Sequence, residues 1–344
     1  MKIAGREVGL EHKPFVIAEI AQTHDGSLGN ALAFIDLAKN CGASAVKFQT
    51  HIASEESTPS EPWRKQFSYQ DATRFDFWIR TGFSFQQWKQ LKAHADAQEI
   101  LFLSSPFSLQ ACQWLEEIGV PAWKLASGEV HNRQLIDWIA ATGKPIIISS
   151  GLSSIAETKS VARNLINRGV EISIVHCTTK YPTPPEDAGL NVFEELALSF
   201  SVPTGLSDHS GTIFPAIAAT YLGASIIEVH LTMHKGMFGA DVSSSLTPDQ
   251  LSMLVEGVNY TWRMRQNKVD KDQQLAVLTN ERSIFGRSLV AAHKIVEGAQ
   301  IRETDLAYKK PGGGMAYEER DRLLGRIAVK DIEKDQMLTV GDIV

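Results

Sequence analysis

The stretch IIEVHLT, residues 226–232, decides how the chain is read. As a strand it alternates, so Ile227, Val229 and Leu231 take one face while Glu228 and His230 share the other. An edge strand open to water would tolerate a carboxylate and an imidazole on one face. A strand covered on both sides would not, unless that face opens onto a site.

The same kind of run recurs along the chain. FVIAEIA (15–21), SAVKFQT (44–50), EILFLSS (99–105), PAWKLAS (121–127), KPIIISS (144–150), EISIVHC (171–177), VPTGLS (202–207) and ASIIEVH (224–230) make eight strand candidates. The segments between them are helical in pattern: Leu28, Leu32 and Ile35 share a face, as do Leu251, Leu254, Val255, Val258 and Trp262. Ser154 with Glu157 forms a capping box, and Thr247, Pro248 and Gln250 combine a cap, a first-turn proline and a box partner. Strict alternation implies parallel pairing, and eight units over roughly 270 residues fit a (β/α)8 barrel, the TIM barrel. A doubly wound open sheet is the alternative, but QTHDGSLG after the first strand lacks the G-x-G-x-x-G of dinucleotide folds.

Composition narrows the class. A chain of 344 residues, 43% of them hydrophobic, buries a large core. A net charge of -6, dispersed along the sequence, gives no footprint for nucleic acid. Cys41, Cys112 and Cys177 are too few and scattered for a disulfide framework, which points to a reducing cytoplasm. The N-terminus lacks a secretory apolar core and no apolar run is long enough for a membrane span. The loop from His51 to about Phe83 is long and holds Trp63, Phe67, Tyr69, Phe75, Phe77 and Trp78, a composition for an ordered flap or packing surface.

We place the barrel at 1–270, a polar linker at 271–283 and a small β-rich domain at 284–344. That last part repeats itself: KIVEGAQIRETDL (294–306) aligns with DIEKDQMLTVGDI (331–343), pairing Ile295 with Ile332 and Asp305 with Asp342. KKPGGGM (309–315) has the composition of a loop that approaches a ligand, or of a tight turn with solvated lysines.

In a barrel the C-terminal strand ends form the active face, and here each end carries polar groups. They include Glu19; Lys47 and Gln49; Ser105; Lys124, Ser127 and Glu129; Ser149; Thr179 and Tyr181; Ser207 and His209; Glu228 and His230. His209 and His230 end neighbouring strands and are positioned to share a divalent cation with open positions, a Lewis acid for a carbonyl. Two histidines bonded to separate backbone groups are the plain alternative. Lys47 and Lys124 within a ring of hydroxyls describe an anion site. A strand lysine also serves Schiff-base chemistry, and Lys124 between Ala122 and Ala126 reads as an amine in apolar surroundings.

AEIAQTHDGSLGNA, VKFQTH, WKLASGE, HCTTKYPTP, GLSDHSG, EVHLT and the C-terminal KKPGGG together resemble the N-acetylneuraminate (sialic acid) synthase family with its antifreeze-like SAF domain. The resemblance spans essentially the whole chain. It implies metal-dependent condensation of phosphoenolpyruvate with an N-acylated mannosamine-type aldose, giving a nine-carbon 2-keto acid and phosphate. It implies His209 and His230 as ligands to manganese, with magnesium or cobalt as alternatives. Lys47, Ser105, Lys124, Ser127, Ser149, Thr179 and Ser207 would bind phosphoenolpyruvate, and Glu19, Gln49, Tyr181, Asp241 and Lys310 the sugar. The base for water addition is Glu129, Glu228 or a water on the metal. A domain-swapped homodimer is implied as well. Thr179, Lys310 and Thr23 depart from the asparagine, arginine and asparagine common at these motif positions, which bears on the identity of the aldose. A lysine aldolase and a non-catalytic carbohydrate-binding protein are the competing readings.

Overall fold

The computed structural model describes residues 1–64 and 66–344. The chain divides into two units, Met1–Asn267 and Lys268–Val344.

The first unit is built on eight parallel strands: β1 (Phe15–Ala21), β2 (Ala45–Thr50), β3 (Leu101–Pro106), β4 (Trp123–Leu125), β5 (Ile146–Ser149), β6 (Ile172–Cys177), β7 (Thr204–Asp208) and β8 (Ile226–Leu231). They are hydrogen-bonded in the order β3-β2-β1-β8-β7-β6-β5-β4, which brings the last strand beside the first, the circular order of a nearly closed (β/α)8 barrel. The fold is thus a TIM barrel, not a doubly wound sheet. All of β8 is buried, so the solvated-edge reading of 226–232 is excluded.

Period-two alternation sorts each strand into an inner and an outer set. The outer residues, such as Val16, Ala18, Val46, Phe48, Ile146 and Ile148, pack under the helices in one large apolar cluster. Phe15, Ile17, Ala45, Leu103, Ala122, Ile147, Val175 and Ile226 form a separate apolar plug inside the barrel, closed from below by Ile3 and Val8 of an N-terminal hairpin. Two residues further along, the same inner face turns polar on seven of the eight strands, at Glu19, Lys47, Ser105, Lys124, Ser149, Ser207 and Glu228, with Cys177 in that position on β6. The apolar layer fixes the strands, and the polar layer stands on it.

Local signals set the frame. The helix Ile155–Asn167 starts at the Ser154/Glu157 capping box and Pro248–Gln266 at the Thr247/Gln250 box. A register shift between Glu19 and Ala21 marks a bulge in β1, with Ala21 at φ 46°, so Glu19 faces Lys47 before the chain turns out of the barrel. The segment after β2 carries helices Ala53–Glu56 and Arg74–Thr81, and Ala53, Trp63, Phe67, Phe75, Phe77 and Trp78 pack together there. Tyr69 alone of its aromatics is almost fully exposed.

In the second unit, helices Lys271–Val277 and Thr279–Phe285 occupy what the sequence reads as a linker. Beyond them, Ser288–Ala291 pairs antiparallel with Leu306–Lys309 over a core that includes Leu289, Ile301, Leu323 and Leu338. The internal repeat is visible in the backbone. Ile295 and Ile332, aligned by the repeat, exchange hydrogen bonds of 2.9 and 2.8 Å with each other. Their counterparts Asp305 and Asp342 each accept from a backbone N–H three residues upstream, at Arg302 and Thr339. Among the described residues no helix is long and apolar enough to cross a membrane.

Gly205 tests the packing of β7 on β8. A Cβ there would collide with the Ile226 carbonyl, whereas one at Gly128 would meet open space. Urea unfolding of Gly205→Ala is expected to show a loss of about 1–3 kcal/mol, with Gly128→Ala close to wild type.

Candidate active site

The polar layer is a connected ion cluster. Glu228 Oε1 accepts from Lys124 Nζ at 2.9 Å and from Ser207 Oγ at 3.0 Å, and lies 3.8 Å from Lys47 Nζ. Lys47 pairs with Glu19 at 2.6 Å and donates to Ser105 at 3.4 Å. Lys124 donates to Ser149 at 2.8 Å. Gln49, above this layer, donates to Glu19 at 2.9 Å. Every one of the four charges is at least nine-tenths buried.

Burial alone would neutralise such groups, but each faces an opposite charge. Burial raises the Glu228 carboxyl, yet Lys124, Lys47 and their hydrogen bonds outweigh it and hold Glu228 below the usual carboxylate range. Burial likewise opposes the charge on Lys47, and Glu19 and Glu228 raise it above the ordinary lysine value. The apolar setting read for Lys124 is therefore corrected. Ala122 and Ala126 are its neighbours along the strand, but its amine reaches across the barrel into Glu228 and Ser149. A lysine paired with a carboxylate is a binding group for an anion, not a ready nucleophile.

At the rim, the imidazoles of His209 and His230 lie with centroids 5.1 Å apart, and Tyr181 packs over His209 at 4.2 Å. His209 Nδ1 is 2.7 Å from the Thr178 carbonyl, which only accepts, so Nδ1 carries the hydrogen and Nε2 keeps a free lone pair. Burial and the neighbouring His230 push His209 down to about 3, which holds the ring neutral. His230 Nδ1 is buried without a hydrogen-bond partner. A neutral, tautomer-fixed imidazole beside an orphaned imidazole nitrogen suits a divalent cation with two protein ligands. Among the described residues no cluster of three or more His, Cys, Asp or Glu has ligand geometry, so remaining positions would fall to substrate or water.

A cavity of about 360 Å³ opens above these rings, lined by Gln49, Tyr181, His230 and Asp241 together with Gln22, Arg64, Arg74 and Lys235. Arg64, from the aromatic segment after β2, stacks on Tyr181 at 4.1 Å and bridges to Asp241 at 3.0 Å. A second cavity of about 350 Å³ shares Gln49, Arg74 and Trp78 with the first and is lined by His51, Glu56, Glu61 and Glu129. Glu129 accepts from Asn132 at 2.8 Å, and burial with the nearby Glu56 charge raises its carboxyl.

The structure thus gathers Glu19, Lys47, Gln49, Ser105, Lys124, Ser149, Ser207 and Glu228 into one network, with Tyr181, His209, His230 and Asp241 above it. It does not gather all the expected residues. Ser127 is half-buried at the start of the turn Ser127–Glu129, Thr179 is exposed, and neither bonds to the cluster among the described residues. Lys310 belongs to the second unit, exposed and 5.4 Å from the Phe285 ring. Sequence reasoning missed Arg64, for which only the aromatic-rich loop hinted at an ordered wall. It also missed His51, which continues the period-two line Lys47, Gln49, His51 and was findable from it.

If the ion cluster is an anion site with an internal carboxylate, Glu228→Ala strands Lys124, while Lys47 keeps Glu19. Loss of about 3–5 kcal/mol in urea unfolding is expected, partly recovered by inorganic phosphate. A variant that phosphate does not stabilise would contradict the anion reading.

Comparison with known proteins identifies the family of the chain. Residues 34–270 match the profile of the NeuB family, and residues 286–344 match the SAF domain. The chain is 31% identical to N,N'-diacetyllegionaminic acid synthase of Campylobacter jejuni, over 95% of this chain and 99% of that protein. It is 32% identical to human N-acetylneuraminate-9-phosphate synthase, over 97% of this chain and 94% of that one. The crystal structure of N-acetylneuraminic acid (sialic acid) synthetase from Leptospira borgpetersenii superposes with a TM-score of 0.73 at 26% identity, covering 82% of this chain and 96% of that chain. The chain belongs to the NeuB family and carries a SAF domain after its barrel.

Proposed function

We propose that the barrel condenses phosphoenolpyruvate with an N-acylated aldose and water, giving a nonulosonic acid and phosphate. The observation that carries this reading is the juxtaposition, inside one barrel, of a buried Lys47/Lys124 site and the paired imidazoles of His209 and His230. An anionic nucleophile and a polarised aldehyde are the two requirements of that reaction, and these groups suit them in turn.

Lys47 and Lys124, with Ser105, Ser149 and Ser207, hold the phosphate and carboxylate of phosphoenolpyruvate, exchanging their internal carboxylates for those of the substrate. His209 and His230 would hold a divalent cation, manganese in our reading, which would supply a Lewis acid for the aldehyde oxygen of the open-chain aldose. Glu19, Gln49, Tyr181 and Asp241 orient the sugar. The methylene carbon of phosphoenolpyruvate bonds to the aldehyde carbon, leaving an oxocarbenium centre at C2. Water adds its oxygen there and loses a proton, and phosphate departs with the bridging oxygen.

Among the candidate bases we favour Glu228. Its Oε2 is buried and has no hydrogen-bond partner, whichever groups hold Oε1. An ionised carboxylate with one free oxygen can take a proton at a fixed position. Glu129 lies in the second cavity with its carboxylate bound by Asn132, where burial raises its carboxyl against that bond. Relatives bear the names legionaminic, pseudaminic and N-acetylneuraminate-9-phosphate synthase, so the aldose panel for this chain spans their precursors. From the resemblance we carry forward a homodimer, in which Lys310 takes part in sugar recognition. Sedimentation at catalytic concentration checks it, and a purely monomeric active enzyme contradicts it.

Phosphate release from phosphoenolpyruvate is expected to require both an N-acylated aldose and a divalent cation, and to stop with EDTA. His209→Ala and His230→Ala are expected to abolish it. Glu228→Gln is expected to lower kcat by about 10²–10⁴-fold. Borohydride trapping of a keto substrate on Lys124, with no metal requirement, would favour a lysine aldolase instead.

A further inference from the structure

Gln49 lies between the two cavities, and the direction of its amide is set from behind. Its Nε2 donates to Glu19 Oε1 at 2.9 Å, so its carbonyl Oε1 faces away, 3.2 Å from His51 Nε2. A carbonyl only accepts, so that contact is a hydrogen bond only when His51 Nε2 carries a hydrogen. The other ring nitrogen, Nδ1, sits 2.5 Å from Glu56 Oε1. Glu56 is fixed in turn by the Ile52 N–H, 3.4 Å from its second oxygen.

The His51 ring has no freedom to turn away. It is buried and stacked between Trp78 at 4.0 Å and Phe107 at 4.2 Å. Were Nε2 bare, its lone pair would face the Gln49 carbonyl. Rotating the amide would relieve that contact only by turning the carbonyl onto the Glu19 carboxylate, a like-polarity contact in a buried site. The chain Glu56–His51–Gln49–Glu19–Lys47 is satisfied throughout in one sense only, with His51 donating at both ring nitrogens, Nδ1–H to Glu56 and Nε2–H to Gln49.

We propose that His51 is a positioning residue for sugar recognition: held by Glu56, its Nε2–H locks Gln49 with the amide NH2 toward Glu19 and the sugar. The proposal rests on the condensation reading for its kinetic consequence, since Gln49 faces the aldose there. It adds a residue that touches no substrate, and it assigns the role of the aromatic segment after β2 as well. Trp78 supplies half of the clamp on the ring, and helix Ala53–Glu56 supplies the carboxylate.

His51→Phe keeps the aromatic stack and removes both nitrogens. The aldose KM is expected to rise about tenfold, as for an amide left without its buried donor, with phosphoenolpyruvate KM and kcat unchanged. His51→Gln, which restores a side-chain N–H, is expected to recover most of that loss. An unchanged aldose KM in His51→Phe overturns the proposal. So does a parallel loss toward both substrates that His51→Gln does not relieve, because that is the signature of a merely structural ring. Nitrogen-15 NMR of histidine-labelled protein, with His51→Gln to assign the signal, reads the ring directly and needs no turnover. A hydrogen on Nε2 supports the lock, and a bare Nε2 overturns it. Wild type without aldose-dependent phosphate release would sink the condensation reading, and the NMR result would still decide the lock.

Discussion

Glu228 is held inside the barrel by two lysines, and the rest of the site is arranged around that pairing. With Glu19 it balances Lys47 and Lys124, so four buried charges sum to zero above an apolar plug. Buried ion pairs of this kind add little net stability, because desolvation offsets most of their attraction. An all-apolar layer would serve the fold equally well. The cluster makes sense as a stored charge pair. In the proposed reaction the carboxylates would occupy the lysines until a multiply charged substrate competes for them.

The imidazoles follow from the same strand geometry. His230 is two residues beyond Glu228 on β8, and His209 two beyond Ser207 on β7, so one step along the inner face moves from anion site to rim. The apolar plug, the ion cluster, and the imidazole rim are successive layers of a single alternation. Adjacent layers are two residues apart on the same strands, so in the proposed reaction the nucleophile's anionic end and the aldehyde would meet without any loop having to carry the chemistry. The loops close the cavity from the side, with Arg64 on Tyr181 and Asp241 as the clearest example.

Much of this was legible in the sequence because strands report their faces through period two. Eight strand positions, the capping boxes at Ser154 and Thr247, and the polar residues at strand ends all follow from local pattern. Partners across the barrel do not. Lys124 read as an amine among alanines because sequence neighbours define only its strand, whereas Glu228 reaches it from 104 residues away. The segment 271–283 read as linker because its residues are polar, yet two short helices form there with no buried face. His51 escaped notice for a different reason. The strand was taken to end at Thr50, and the ring's meaning depends on Trp78, Phe107 and Glu56, which come together only in the fold.

In the proposed reaction phosphoenolpyruvate replaces the internal carboxylates on Lys47 and Lys124. A crystal structure with phosphoenolpyruvate bound measures this directly. Substrate phosphate and carboxylate oxygens are expected within hydrogen-bond reach of both amines, with the Glu228–Lys124 contact of 2.9 Å lengthened or broken. Phosphoenolpyruvate bound elsewhere, with both lysines still paired to Glu19 and Glu228, would contradict it.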